Sequence, residues 1–322
     1  MQSALRSASR RVSAVILAAT LSTAALAFAQ DAQPSAPGEP QFPLANAANF
    51  TAASPTKAEV NAFLNVSWGY DKDRVWNVYA IEKTQAAGIS RVVVQVAQKS
   101  NPQQISPLSF FVTSDGKHLI TNEILPFGAH PYVETRHLLT ERANGPSRGA
   151  AAKTHEIVEF ADFECPHCKA IQPIMERLVQ DFPQVHFVFE NFPLTSIHSE
   201  AEKAALYSVC VAKQGGDAAF YKFADAAFEN QNGLTPESSD ATLGDAVTKA
   251  GLDPAKIGSC SYTAEAKSAV AASIALAHDL QIDETPTVYI DGRPIPVGEV
   301  ANNQLPYEKL KDIVAFQMQI EP

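Results

Sequence analysis

The apolar positions of the chain fall into stretches of two different periods. Helical spacing comes first: Thr56 and Glu59 have the separation of a capping box, and Val60, Phe63 and Leu64 follow at helical intervals. Residues 74–81 and 91–97 are then rich in Val, Tyr and Trp, and Val92, Val94 and Val96 alternate onto one face, the period of a strand. Residues 108–113 and 118–125 flank Ser114-Asp115-Gly116-Lys117, the composition of a hairpin turn. One helix followed by four strands predicts a small α+β unit with an antiparallel sheet over residues 55–143, its last element a helix over 133–142. The run Asn144-Gly145-Pro146-Ser147-Arg148-Gly149 breaks the periodicity, which predicts a linker over 144–151.

After the break the pattern begins again. A strand is predicted over 156–161, a helix from the cysteine pair at 165 and 168 to about 182, and a strand over 185–190. Residues 198–262 then read as mostly helical, in pieces over 201–213, 218–228 and 241–250. An Ala-rich helix over 264–280, a strand over 287–291, a Gly292 turn into 294–297 and a closing helix over 307–317 complete the chain. Pro173 lies inside a helical period that Ile174, Leu178 and Val179 continue, so a kink is expected there rather than an end.

The N-terminus follows neither pattern. Arg6, Arg10 and Arg11 precede an apolar run from Val12 that closes in Ala27-Phe28-Ala29. That order reads as a secretory signal peptide over residues 1–29, cleaved after Ala29. The alternative is an uncleaved membrane anchor, but Ser13, Thr20, Ser22 and Thr23 interrupt the run, and a span needs roughly 20 mainly apolar residues. Residues 30–54, with Pro34, Pro37, Pro40 and Pro43, read as a disordered, extended spacer. With 322 residues and 46% hydrophobic composition, the remainder suffices for two domains with real cores. The formal net charge is −10, and the leader carries three arginines and no acid, so the exported chain is more acidic still. That balance, without a basic patch interleaved with aromatics, argues against nucleic acid as a partner. Export to the periplasm or another extracytoplasmic space would expose the four cysteines to oxidant.

Cys165-Pro166-His167-Cys168 can be a haem site, half a zinc site, a staple or a redox centre. Haem attachment requires His after the second cysteine, where Lys169 stands. Structural zinc requires two further ligands at close spacing, and Cys210 and Cys260 are not a second such pair. No metal and no cofactor is therefore expected. Redox chemistry needs a stabilised thiolate. Cys165 ends a strand and opens a helix, where unpaired N–H groups and the positive end of the dipole meet its sulfur. Pro166 fits the first helical position, and His167 sets a potential positive group beside the sulfur. Cys168, one turn on, is placed to attack a mixed disulfide formed by Cys165, with Cys165 the exposed thiol and Cys168 the shielded one.

The run VEFADFECPHCK resembles the DsbA-type thiol–disulfide oxidoreductases of the thioredoxin superfamily, and Thr285-Pro286 in DETPTVYIDG resembles that family's cis-proline loop. The resemblance covers residues 152–322. It implies an α/β, thioredoxin-like fold with a helical insertion at about 198–262, with Pro286 in cis against the active-site cysteines. Taken locally, Pro286 could equally be a trans proline at a strand edge. The family's buried glutamate, six residues before the first cysteine, falls on Glu159 here; alternation puts Glu159 on the face of Ile157, opposite Val158 and Phe160. If buried it would have a raised pKa and could relay the proton of Cys168; the other reading is a strand residue facing solvent. The resemblance also suggests a structural disulfide between Cys210 and Cys260; two buried free thiols are the alternative.

The run SFFVTSDGKHLITNEILPFG, placed before a linking helix and such a domain, resembles the N-terminal dimerisation module of DsbC and DsbG isomerases. Thr285 follows the isomerases, while Pro166-His167 follows the oxidases. The expected protein forms or isomerises disulfides in unfolded or misbridged exported clients. It would exchange electrons with a membrane or soluble redox partner and pair as a homodimer through residues 55–125. Two other readings remain: a holdase chaperone that binds clients, and a soft-metal handler in which two thiolates and His167 take copper.

Overall fold

A computed structural model describes residues 39–121 and 124–320. The expected signal peptide and the first part of the expected spacer, residues 30–38, therefore lie outside the described residues. The end of that spacer is folded. Ala47–Asn49 forms a single 3-10 turn, Phe50 makes a parallel bridge to Ile81, and the N–H groups of Thr51 and Ala52 both donate to the Ile81 carbonyl. An apolar ring and two backbone donors that find a strand edge outweigh the local proline content.

Helix α1 (Lys57–Trp68) starts at a capping box, with Thr56 accepting from the Glu59 N–H and Glu59 reaching back to the Thr56 N–H. Strands β1 (Arg74–Lys83), β2 (Ile89–Gln98), β3 (Asn101–Thr113), β4 (His118–Ile120) and β5 (Ile124–Pro126) follow in spatial order as one antiparallel sheet. Val60 and Leu64 of α1 bury against Val78, Ile81, Val92, Val94, Phe110 and Val112, the inward alternation read from the sequence. Two details differ from expectation. β3 begins at Asn101 and runs through Pro102 and Pro107; among the described residues β4 pairs only with Phe111 and Val112, so the proline-bearing half is a free edge there, where proline is tolerated. The expected strand over 118–125 is instead two short strands, β4 paired antiparallel with β5.

Helix α2 (Val133–Arg142) was expected to close this first unit. It packs instead on the second sheet: Leu139 and Ala143 join Val158, Phe160 and Val188 in one core. The expected linker over 144–151 is likewise part of that sheet. Strand β6 (Ser147–Gly149) pairs antiparallel with β8 (His186–Asn191), the strand after β7 (Glu156–Ala161) and α3 (Pro166–Asp181). Its glycines serve close packing rather than flexibility. A Cβ on Gly145 would lie 1.9 Å from the Phe189 carbonyl oxygen, and Gly149, at φ +84°, would meet that of Val185 at 2.3 Å.

The helical insert is α4 (Ala201–Glu229), α5 (Ser239–Lys249) and α6 (Pro254–Ser261), followed by α7 (Ala264–Asp279). The two helices expected over 201–228 join into α4, interrupted at Gly216, whose φ is 73°. Strands β9 (Thr287–Ile290) and β10 (Arg293–Pro294) and helices α8 (Val297–Ala301) and α9 (Tyr307–Ile320) end the described chain. The second sheet has the order β10-β9-β7-β8-β6, with β7 and β8 parallel and the other pairs antiparallel. Both faces are covered, which is why every residue of β7 and β8 is buried. Ile171, Met175, Leu178, Leu310 and Val314 of α3 and α9 lie on Ile157, Phe187 and Val288. α2 and α7 cover the opposite face through Leu139, Leu276 and Ala277. This is a thioredoxin-like α/β fold with a helical insertion, preceded by a small α+β part.

The two parts meet through α1. The buried guanidinium of Arg293 donates to the carbonyls of Val66 and Ser67 at 3.0 and 2.8 Å, at the C-terminal end of that helix. Tyr70 packs onto the core under α9, and Lys309 approaches Asp71 at 3.6 Å.

Candidate active site

β7 runs out of the sheet at Ala161 into a three-residue turn that the Asp162 carboxylate organises by accepting the Glu164 N–H at 2.8 Å. Cys165 is the N-cap of α3 and Pro166 its first residue, the position expected for that proline. Cys165 and Cys168 are both free thiols. The sulfur of Cys165 is met by the Cys168 thiol, the Thr285 side chain and the N–H groups of Cys168 and His167. Against the opposing effect of burial, these hold its thiol at about 5, with the Cys168 hydrogen bond the largest contribution. His167 acts through its backbone; its ring is exposed. Cys168 goes the other way. Burial, then the neighbouring Cys165 sulfur, push its thiol well above 9.0.

One expectation about exposure is corrected. Cys168 is shielded at 0% exposure, but Cys165 is covered as well, at 4%. Its thiol lies 3.3 Å from the Thr285 carbonyl, in donating geometry, and its own carbonyl accepts from Gln231. The loop at Thr285 and the helical insert thus close over a helix start that, taken alone, would face solvent.

Thr285–Pro286 is a cis peptide bond, the isomer the resemblance implied. The Thr285 hydroxyl is buried and has no hydrogen-bond partner among the described residues, and it favours the anion of either sulfur. Glu159 is buried at 4% exposure on the Ile157 face of β7, and burial raises its carboxyl to about 7. Among the described residues no hydrogen bond joins it to the Cys168 sulfur. Gln172 bridges the two, donating to Glu159 Oε1 at 2.8 Å and to the Cys168 carbonyl at 3.0 Å. Cys210 and Cys260 form a disulfide that ties α4 to α6 within the insert. Pro166 and His167 remain at the surface beside the buried pair. The structure therefore brings Cys165, Cys168, Thr285 and Pro286 together, sets Glu159 one side chain away, and places Cys210 and Cys260 in the scaffold.

Three further residues at the site were not singled out from the sequence. Gln231, in the turn after α4, donates to the carbonyls of Phe163 and Cys165 at 2.8 and 2.9 Å. Asp162 donates its N–H to the Cys168 sulfur, and His198 binds the Asp162 carboxylate. Gln231 and His198 reach the site only through the folded insert and the loop before it, whereas Asp162 lies inside the cysteine run and acts through its own backbone N–H and carboxylate. Among the described residues, no group of three or more His, Cys, Asp or Glu side chains is arranged to hold a metal ion.

The chain belongs to the thioredoxin family: the family model described as Thioredoxin matches residues 141–315, more than half of the sequence. A stretch of 89 residues, 28% of this chain, is 36% identical to Na(+)/H(+) antiporter NhaA 3 of Salinispora tropica, and it spans 13% of that protein. A stretch of 144 residues is 27% identical to the probable disulfide bond formation protein D of Bacillus cereus, covering 42% of this chain and 65% of that one. BdbD from Bacillus subtilis, in its oxidised form, superposes with a TM-score of 0.47 at 24% identity, over 54% of this chain and 93% of that one. Pseudomonas aeruginosa DsbA2 does so with a TM-score of 0.39 at 32% identity, over 48% and 85%.

Proposed function

We propose that this protein is an exported thiol–disulfide oxidoreductase that forms or rearranges disulfide bonds in unfolded or misbridged exported proteins. The observation that carries this reading is the asymmetry of the two thiols: Cys165 held at about 5 at a helix start, Cys168 buried one turn behind it and pushed well above its ordinary value. Cys165 is the group that attacks, or is attacked, and Cys168 resolves the mixed disulfide that results. Glu159, at about 7 and one glutamine from Cys168, is suited to take up the proton that Cys168 gives away. The family membership and the 27% identity to a probable disulfide bond formation protein support the same class of reaction. The test is a pair of substitutions: Cys165→Ser abolishes thiol–disulfide exchange, and Cys168→Ala traps mixed disulfides with exported clients. Recovery of no adduct from cells making disulfide-bonded exported proteins would overturn the reading.

The direction of electron flow is set by whether the pair is kept oxidised or reduced by its redox partner. Alkylation of the thiols in cells followed by a gel shift decides it: mostly oxidised marks an oxidase, mostly reduced an isomerase. The antiparallel sheet of residues 74–126 is read as a dimerisation module. Leu108, Phe111, Ile124 and Leu125 are exposed large apolar side chains on it, and the half of β3 before Ser109 offers unpaired strand edge. A monomer by light scattering at micromolar concentration would remove the dimer and leave the chemistry of Cys165 untouched.

A further inference from the structure

Resolution of a mixed disulfide asks Cys168 to lose its proton in a place that resists charge. Its sulfur is fully buried, with Cys165 beside it. One donor that favours its anion comes from the backbone: the N–H of Asp162, 3.4 Å from Cys168 Sγ. Asp162 is itself anchored by three hydrogen bonds to its carboxylate. The side chain is 0% exposed; Oδ1 accepts the Glu164 N–H at 2.8 Å, and Oδ2 accepts the Leu194 N–H and His198 Nδ1–H, each at 2.8 Å. Leu194 and His198 belong to the loop between β8 and α4, so the turn that carries Cys168 is tied to the base of the helical insert. To donate to a carboxylate, Nδ1 of His198 carries a proton in either charge state of the ring.

We propose that Asp162, clamped by His198, is a positioning residue for the resolving step: it holds in place the peptide N–H that stabilises the Cys168 thiolate. The inference rests on the reading of Cys168 as the resolving thiol. It is selective by construction, because the groups that favour the Cys165 anion are the Cys168 thiol, Thr285 and the first N–H groups of α3, none of which is held by the Asp162 carboxylate. In the step itself Cys168 gives up its proton, which Glu159 is suited to take, and its sulfur bonds to Cys165 Sγ. The bond between Cys165 and the client sulfur breaks, and the electron pair leaves on the client sulfur, which is protonated as a thiol or remains a thiolate. Over the two exchange steps the cysteine pair loses two electrons and the client disulfide gains them.

A dithiobis(nitrobenzoate) probe separates the two thiols, since attack by Cys165 releases one thionitrobenzoate and resolution by Cys168 releases the second. The titratable and charged groups facing this turn are Cys165, Glu164, His198, Glu159 through Gln172, and Glu200 with Lys203; comparing variants at each pH cancels what they share. His198→Phe and Asp162→Ala are expected to slow the second release about tenfold near neutral pH and to move its pH midpoint up by about one unit. The midpoint of the first release stays in place, and His198→Gln, whose amide still donates, restores the second phase. Equal shifts of both phases, or no shift of the second, would overturn the proposal. Where Asp162→Ala fails to fold, the His198 variants decide, that side chain being partly exposed at 16%. A wild-type protein without a second release takes down the resolving-thiol reading and the clamp with it; a normal second release unmoved by the variants takes down the clamp alone.

Discussion

The low thiol of Cys165 makes the stability of the reduced protein depend on pH. Folded, this thiol titrates at about 5; unfolded, it keeps its proton until pH approaches the ordinary 9.0. Between those values the unfolded chain holds a proton that the folded chain has lost, so stability rises with pH across the window and is lost as pH falls through the folded value. At neutral pH the folded thiol is about two units above its midpoint, worth about 2–3 kcal/mol at ~1.4 kcal/mol per unit. Glu159 acts in the opposite sense. Its carboxyl is raised from 4.5 to about 7, so its contribution is full below the unfolded value and is lost as pH rises through the folded one, a cost of about 3 kcal/mol by then. The wild-type curve alone therefore conceals the thiolate, and the informative quantity is the difference between reduced wild type and Cys165→Ser. Urea unfolding under reductant, repeated at intervals from about pH 5 to about pH 8, measures it. The difference should be small at the acid end and reach about 2–3 kcal/mol near neutrality. A difference that stays flat with pH would mean that Cys165 is an ordinary thiol and that the helix start and the Cys168 hydrogen bond do not stabilise its anion.

Glu159→Gln keeps an acceptor for Gln172 and removes the charge, so its gain over wild type should grow between about pH 4.5 and about pH 7 to about 3 kcal/mol, read from the same unfolding curves. Replacing Cys210 and Cys260 together by alanine opens a loop of sequence separation 50; it should cost about 4 kcal/mol in urea unfolding, with the Cys165 titration unchanged. Arg293→Met leaves the Val66 and Ser67 carbonyls without their donor. It should cost about 1–3 kcal/mol and speed amide hydrogen exchange in the last turn of α1, measured by mass spectrometry.

Local order was legible wherever one segment carries its own instruction. The capping box at Thr56, the alternation of Val92 and Val94, and Pro166 at the helix start all state a backbone geometry within a few residues, and each appears in the structure. Glycine and proline were less plain. Gly145, Pro146 and Gly149 look like a linker because flexibility and close approach call for the same residues; only the strand lying against them distinguishes the two. Pro102 and Pro107 concealed the first half of β3, since a sequence does not state which strands are edges.

The candidate site divides along the same line. By itself the sequence determined a dithiol at the mouth of a helix, because the strand end, Cys165, Pro166 and Cys168 are contiguous. Tertiary structure alone decided how that dithiol is covered and anchored. Beyond the Thr285-Pro286 loop, whose place against the cysteines the family resemblance implied, Gln231 reaches Cys165 from 66 residues away and His198 reaches Asp162 from 36. Those distances are closed by the packing of the insert and of β9 onto β7, which depends on the summed burial of many side chains and leaves no periodic mark on the few polar residues it brings together.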